Sequence, residues 1–210
     1  MRRILIFLTV VFCLHGICLA SESDIESITK CYENYVIAIL NNDAQMAYES
    51  IDRNTKAYYD RILEMAIHLD AESSRKLSLL NKSMVLLARQ GVEKKKLLKM
   101  NGADFFKYAV QNDWIGSQGD RGQRITNINI DNDIASSNIV KDGQISTFGY
   151  VFYKEADGWK IDLTSIMPFV ERELKKQLLK KQIDDDAFIF QMLEAISGKK
   201  VNKKIWKPLK

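Results

Sequence analysis

Cysteine, proline and histidine are scarce in this 210-residue chain, with three, two and two residues respectively. Three cysteines cannot staple a disulfide scaffold, and two prolines beside ten glycines exclude a collagen-like or proline-rich chain. Beyond the first twenty residues only His68 and Cys31 remain of the softer metal ligands. They cannot assemble a typical zinc site, so no metal is expected. No phosphate loop, Gly-x-Ser-x-Gly elbow or dinucleotide fingerprint occurs. ATP-dependent, serine-hydrolase and nicotinamide chemistries are therefore disfavoured, and no cofactor is implied. Charge of one sign is lacking as well: 31 basic residues face 27 acidic ones. A nucleic-acid binder concentrates a strong basic excess on one face, so no nucleic-acid partner is expected. What is present is 46% hydrophobic residues, enough for a folded core.

The longest apolar run lies at the start of the chain. Arg2 and Arg3 precede an eleven-residue apolar run at positions 4–14, broken only by Thr9, and Cys18-Leu19-Ala20 places small residues before Ser21. This is the pattern of a secretory signal peptide over residues 1–20. The run is shorter than the roughly 20 residues a membrane-spanning helix needs. Phe12 and Ile17 stand where a lipoprotein signal has a small residue before its cysteine. Removing the leader takes Arg2 and Arg3 with it and leaves 29 basic against 27 acidic residues. Export to a periplasm or the outside medium is the expectation, with residues 21–210 as one domain. Cys31 is then the one remaining thiol and is expected to pack in the core.

The periodicity predicts helices over residues 24–112, a sheet over 123–164, further helices over 167–197 and a docking tail over 198–210. Ser23-Asp24-Ile25-Glu26 reads as a capping box at the head of a stripe of Ile25, Ile28, Tyr32, Tyr35 and Ile39 that stops at Asn41-Asn42. A short helix follows at 43–50. Asn54 is the expected cap for the Tyr58, Ile62, Met65 and Leu69 stripe. Leu77, Leu80, Met84 and Leu87 form the next, ending at Gly91. Residues 92–100 are a lysine-rich helix or turn, and Asn101-Gly102 breaks the chain before a helix at 103–112. Five helical segments precede any strand.

Beyond the glycines at 116, 119 and 122 the period becomes two: Thr126, Ile128 and Ile130 alternate with Asn127, Asn129 and Asp131. Turns at 131–133, Asp142-Gly143 and 155–158 separate strands at 134–141 and 144–154 and a last strand carrying Trp159, Ile161 and Leu163. The result is a four-stranded antiparallel meander in an α+β fold. Ser165 is a candidate cap with Pro168 in the following first turn, and the tail holds Val201, Ile205, Trp206 and Leu209 among its lysines.

The helix ending in Asn41-Asn42-Asp43, the run Tyr58-Tyr59-Asp60, and the strands Gly149-Tyr150-Val151-Phe152-Tyr153-Lys154 and Trp159-Lys160-Ile161-Asp162 carry a resemblance. Together they resemble the nuclear transport factor 2-like superfamily over residues 24–60 and 125–163. The resemblance implies N-terminal helices packed into a curled antiparallel sheet, a cone with a pocket, and sheet-to-sheet homodimers. Two departures stand out: an extra helical block at 72–112 and helices continuing after Pro168. A strand usual between the early helices is also not evident.

Members that act as isomerases, cyclases or dehydratases place Asp, His or Tyr in the pocket, where burial turns a carboxylate into a base. Asp162 is the candidate here, directed opposite Trp159, Ile161 and Leu163. A solvated face for Lys160 and Asp162 is the competing reading, and the favoured one. His68 lacks an acidic or hydroxyl partner by spacing and reads as a surface or structural residue. Tyr32, Tyr35 and Tyr58, with Lys160 and Asp162, are the ligand-binding candidates. Tyr48 and Tyr59 belong to the same aromatic group, and Tyr32 and Tyr35 also suit a core role. Asp131-Asn132-Asp133 lacks the glycine and terminal glutamate of a calcium loop, and Asp184-Asp185-Asp186 suits a helix start. The basic runs at 94–96, 175–176 and 180–181 read as solvated helix faces, and membrane contact is not expected. With no convergent catalytic set, a noncatalytic exported domain binding a small apolar ligand or a protein partner is favoured. A cofactor-free enzyme using Asp162 is the alternative.

Overall fold

A computed structural model of the protein describes residues 22–116 and 122–210. The expected leader at 1–20 lies outside the described residues. The first helix, α1, spans Glu22–Leu40 and buries Ile28, Tyr32, Tyr35 and Ile39 of the stripe its spacing predicts, while Ile25 at its start is exposed. Its start differs from expectation. Ser23 sits inside the helix instead of capping it, and Asp24 turns to the sheet. The Asp24 Oδ1 accepts from Trp159 Nε1 at 2.8 Å and Lys154 Nζ at 3.0 Å.

Helix α2 (Ala44–Ser50) is capped by Asp43. Helix α3 (Arg53–His68) is capped by Asp52 and not by Asn54: the buried carboxylate accepts from Thr55 N at 2.8 Å and Asn54 N at 3.0 Å. An extra helix, α4 (Ala71–Arg75), intervenes before α5 (Leu79–Gly91), α6 (Lys94–Leu97) and α7 (Gly102–Gln111). Seven helices therefore precede the first described strand, two more than the periodicity shows, because α4 and α6 are too short to display a repeat. A true capping box does form, at Asn101 and Asp104 before α7.

The sheet is antiparallel and open. Strands β1 (Arg124–Asp131), β2 (Ile134–Lys141), β4 (Val151–Glu155) and β5 (Gly158–Asp162) lie in that order, and β3 (Gln144–Ile145) also pairs with β2. The third expected strand is thus interrupted. At residues 146–150 the ladder turns irregular without parting from β2: Ile139 N donates to Ser146 Oγ at 3.0 Å and to Phe148 O at 3.2 Å, and Ser137 N donates to Tyr150 O at 3.0 Å. Gly149 is required there, since a Cβ would lie 1.9 Å from the Ser137 carbonyl oxygen. Asp142 and Gly143 take φ of 51° and 76°, the left-handed pair of a tight hairpin. Between α2 and α3, Ile51 makes a single parallel bridge to Ile161.

After β5 a 3-10 turn (Leu163–Ile166) leads to α8 (Met167–Lys181) and α9 (Asp185–Ser197). Asp162, and not Ser165, caps that turn; Ser165 Oγ donates to the Asp162 carbonyl at 2.6 Å. Two apolar clusters result. One joins α1, α2, α3, α7 and the sheet; the other joins Leu86 and Leu87 of α5 to Phe188, Ile189, Leu193 and Trp206. Helix α5 serves both, with Val85 and Ala88 in the first cluster. It is therefore buried more widely than the expected one-sided stripe. The tail docks as expected: Trp206 is buried, and Leu209 N donates to Ile67 O at 2.8 Å. Arg89 of α5 ties these parts together, its guanidinium donating to the carbonyls of Met65, Ala66, Leu69, Ile205 and Trp206.

Candidate functional site

The two charged candidates of β5 are buried, so the solvated-face reading does not hold. Lys160 and Asp162 are 9% and 6% exposed. The physical reason is the connection from α2 to α3, which runs along the outer edge of β5: Asp52 N donates to Ile161 O at 3.0 Å. Lys160 Nζ donates to Glu49 O at 2.7 Å and pairs with Asp157 Oδ2 at 2.9 Å. That contact holds the Asp157 carboxyl below its ordinary pKa. Asp162 Oδ1 accepts from Thr164 N at 2.7 Å, Thr164 Oγ1 at 2.6 Å and Thr55 Oγ1 at 3.4 Å. Thr55 Oγ1 in turn accepts from Leu163 N at 2.9 Å. Asp52, Thr55 and Asp162 form one buried network joining the start of α3 to the end of the sheet. All three bonds to Asp162 fall on Oδ1, so this oxygen serves the turn that follows β5.

The tyrosines do not converge with these residues. Tyr58 donates to Asn81 Oδ1 at 3.0 Å, and burial pushes its phenol up to about 12. Tyr59 packs edge-on against Tyr58 and Phe106, and burial raises its pKa as well. Tyr35 is buried in the first cluster. Cys31 is a core residue, as expected, its thiol pushed up to about 11 by burial against the lowering influence of the Lys160 charge. His68 lies half exposed, 3.5 Å from Glu64. Among the described residues no three His, Cys, Asp or Glu side chains gather as a metal site.

Tyr32, of the ligand-binding candidates, lies beside a hollow. Its ring lies 5.6 Å from Tyr150. On the Tyr32 side is a small cavity of about 220 Å³ reaching Val36 and Ile125. On the Tyr150 side is a groove of about 640 Å³ between the β2–β3 hairpin and the start of α8, and Gln123 borders both. Phe148 and Phe169 stack across it with centroids 3.6 Å apart, and Ile139, Ile145 and Ile166 extend the apolar wall. Ile145 is 58% exposed. The sequence missed this groove because its walls come from the interrupted strand and from α8, neither of which shows as a motif. A hollow of about 940 Å³ beside Trp206 is larger, but Arg75, Lys203 and Asp184 to Asp186 line it with charge.

Helix α8, which walls the groove, has every residue at least partly exposed. What fixes it is Glu171, whose carboxylate accepts from Leu79 N at 3.1 Å and Leu80 N at 2.7 Å and so caps α5 from another helix. Lys175 pairs with it at 3.0 Å. Burial opposes ionisation, yet the Leu80 and Leu79 N–H groups and Lys175 hold the carboxyl below its ordinary value of 4.5. A lowered folded pKa stabilises above the unfolded value and ceases to do so as pH falls through the folded one. Glu171→Gln is expected to cost about 1 kcal/mol at neutral pH. The difference from wild type in urea denaturation should shrink between about pH 5 and pH 3.

No helix among the described residues is long and apolar enough to cross a membrane. Compared with family models, curated proteins and solved structures, the chain matches none of them.

Proposed function

We propose that residues 21–210 act, after export, as a noncatalytic domain that holds a small apolar ligand in the groove between the β2–β3 hairpin and α8. The observation that carries this reading is the groove itself: about 640 Å³, walled by Phe148, Phe169, Ile139, Ile145 and Ile166. That volume lies within the roughly 300–1,000 Å³ of small-molecule sites, and Gln123, Lys141, Asp142, Gln144 and Ser146 complete the lining beside the apolar wall. Gln144 and Ser146 supply polar atoms that orient a ligand. The capping role of Asp162 supports a binder over an enzyme using that carboxylate as a base. Export rests on the Arg2-Arg3 start, the short apolar run and Ala20. Membership of the nuclear transport factor 2-like superfamily is part of the same proposal. Its support is the order of helices before a meander, with the Ile51 bridge to Ile161 where a strand is usual.

The test is titration with the neutral apolar dye phenylnaphthylamine, alongside native mass spectrometry of the purified chain for a retained small molecule. Saturable dye binding should weaken about tenfold in Phe169→Asp, which puts a charge into the apolar wall. Phe190→Asp, in the charged hollow, should leave dye affinity unchanged. Absence of binding, or equal loss in both variants, overturns the assignment.

A further inference from the structure

A second surface, remote in character from the apolar groove, is rich in lysines that make no salt bridge among the described residues, although the Lys56 charge acts on Asp157. Lys56, Lys94, Lys95, Lys96, Lys99 and Lys107 come from the start of α3 and from α6, α7 and the turn between them. Among the described residues none of the six takes part in a salt bridge, whereas Lys76, Lys82, Lys154, Lys160, Lys175, Lys176 and Lys200 each do. Two tyrosine faces bind the set together. Lys56 and Lys107 stand 5.0 and 5.2 Å from the Tyr48 ring centre, and Lys96 stands 4.3 Å from that of Tyr108. Such contacts hold ammonium groups in place without cancelling their charge.

The surface is concave. Lys96, Lys99, Lys107 and Tyr108 line a cleft of about 400 Å³. Asp104 also lines the cleft and accepts from Asn101 N at 3.2 Å in the capping box, so three ammonium groups there face one carboxylate. We propose that this cleft docks an acidic, Asp- and Glu-rich segment of a protein partner. Charge complementarity favours carboxylates, and the tyrosine faces offer apolar contact to the methylenes between them. A bilayer is the poorer fit, because a cleft meets a flat surface badly and Ile25, Ile37, Leu40, Ile134, Ile145, Leu179 and Ile196, the exposed large apolar side chains, all lie on other elements. A near-neutral chain with a cleft-sized cationic surface suits a short acidic stretch better than a long polyanion.

The experiment is fluorescence anisotropy of the full chain with a labelled poly-glutamate decapeptide. The peptide should bind at low ionic strength and release as salt rises. Lys96→Gln/Lys99→Gln/Lys107→Gln should weaken binding about tenfold. Lys96→Arg/Lys99→Arg/Lys107→Arg should keep it, which separates charge from any effect on the fold. Lys175→Gln/Lys176→Gln/Lys180→Gln on α8 should match wild type. No binding at low salt overturns the proposal, as does equal loss in the α8 variant. Binding to phosphatidylglycerol vesicles that needs the same three lysines, with none to the peptide, overturns it in favour of a membrane.

Discussion

Replacing Arg89 with methionine is expected to lower the melting temperature by about 10 °C, corresponding to about 4 kcal/mol for a domain of this size. The size follows from what the guanidinium touches. Three of its acceptors, the Met65, Ala66 and Leu69 carbonyls, stand at the C-terminal end of α3, where helix carbonyls run out of helical donors; of these Met65 O also accepts from Leu69 N. The other two, at Ile205 and Trp206, belong to the tail. Methionine matches the stem in length and supplies no donor, so carbonyls are stranded at about 1–3 kcal/mol for each that stays dry. Burial lowers the pKa of the guanidinium, yet an arginine stays charged through the accessible pH range, so the loss is independent of pH. Arg89→Lys offers three donors from a single point and should recover less than half the deficit. Calorimetry decides the matter: a drop under about 2 °C would mean that water replaces the side chain at these carbonyls.

Asp162→Ala should cost about 3 kcal/mol and Asp162→Asn about 1 kcal/mol. Alanine leaves Thr164 N and the hydroxyls of Thr164 and Thr55 without their acceptor in a buried site, and Thr55 then loses its hold on Leu163 N. Asparagine retains an acceptor oxygen at the same place and is as good a cap as aspartate. Chemical denaturation of the two variants reads the contrast directly. A solvated surface carboxylate would give changes within about 0.5 kcal/mol for both. Equal, large losses would instead make the negative charge, and not the acceptor geometry, the stabilising element.

What could be read from the residues divides along one physical line. Elements whose signal is local came through: α1, α2 and α7, the strand limits of β2 and the Asp142-Gly143 turn all follow from periodicity or turn chemistry. The docked tail was legible for a similar reason, since Trp206 and Leu209 among lysines need cover. Features set by distant segments did not. Burial of Lys160 and Asp162 depends on residues 49–55 covering the edge of β5, over 100 positions away in the chain. Asp52 was within reach, as an aspartate three residues before the Thr55 it caps is an ordinary helix start. The groove was not, because it exists only where a broken strand meets a helix anchored through Glu171.

Arg89 also sets a schedule. The carbonyls closing α3 wait for a side chain of α5, and that side chain is complete only when residues 205 and 206, more than a hundred positions later, arrive beside it. Leu209 adds a strand-like contact to Ile67 across a still longer interval. A chain emerging from its N-terminal side can form α1 to α3 early, but it cannot finish the end of α3 until the tail has been made. Under the export proposed above, a chain that stays loose until its last stretch appears would remain threadable through a narrow channel and lock once across.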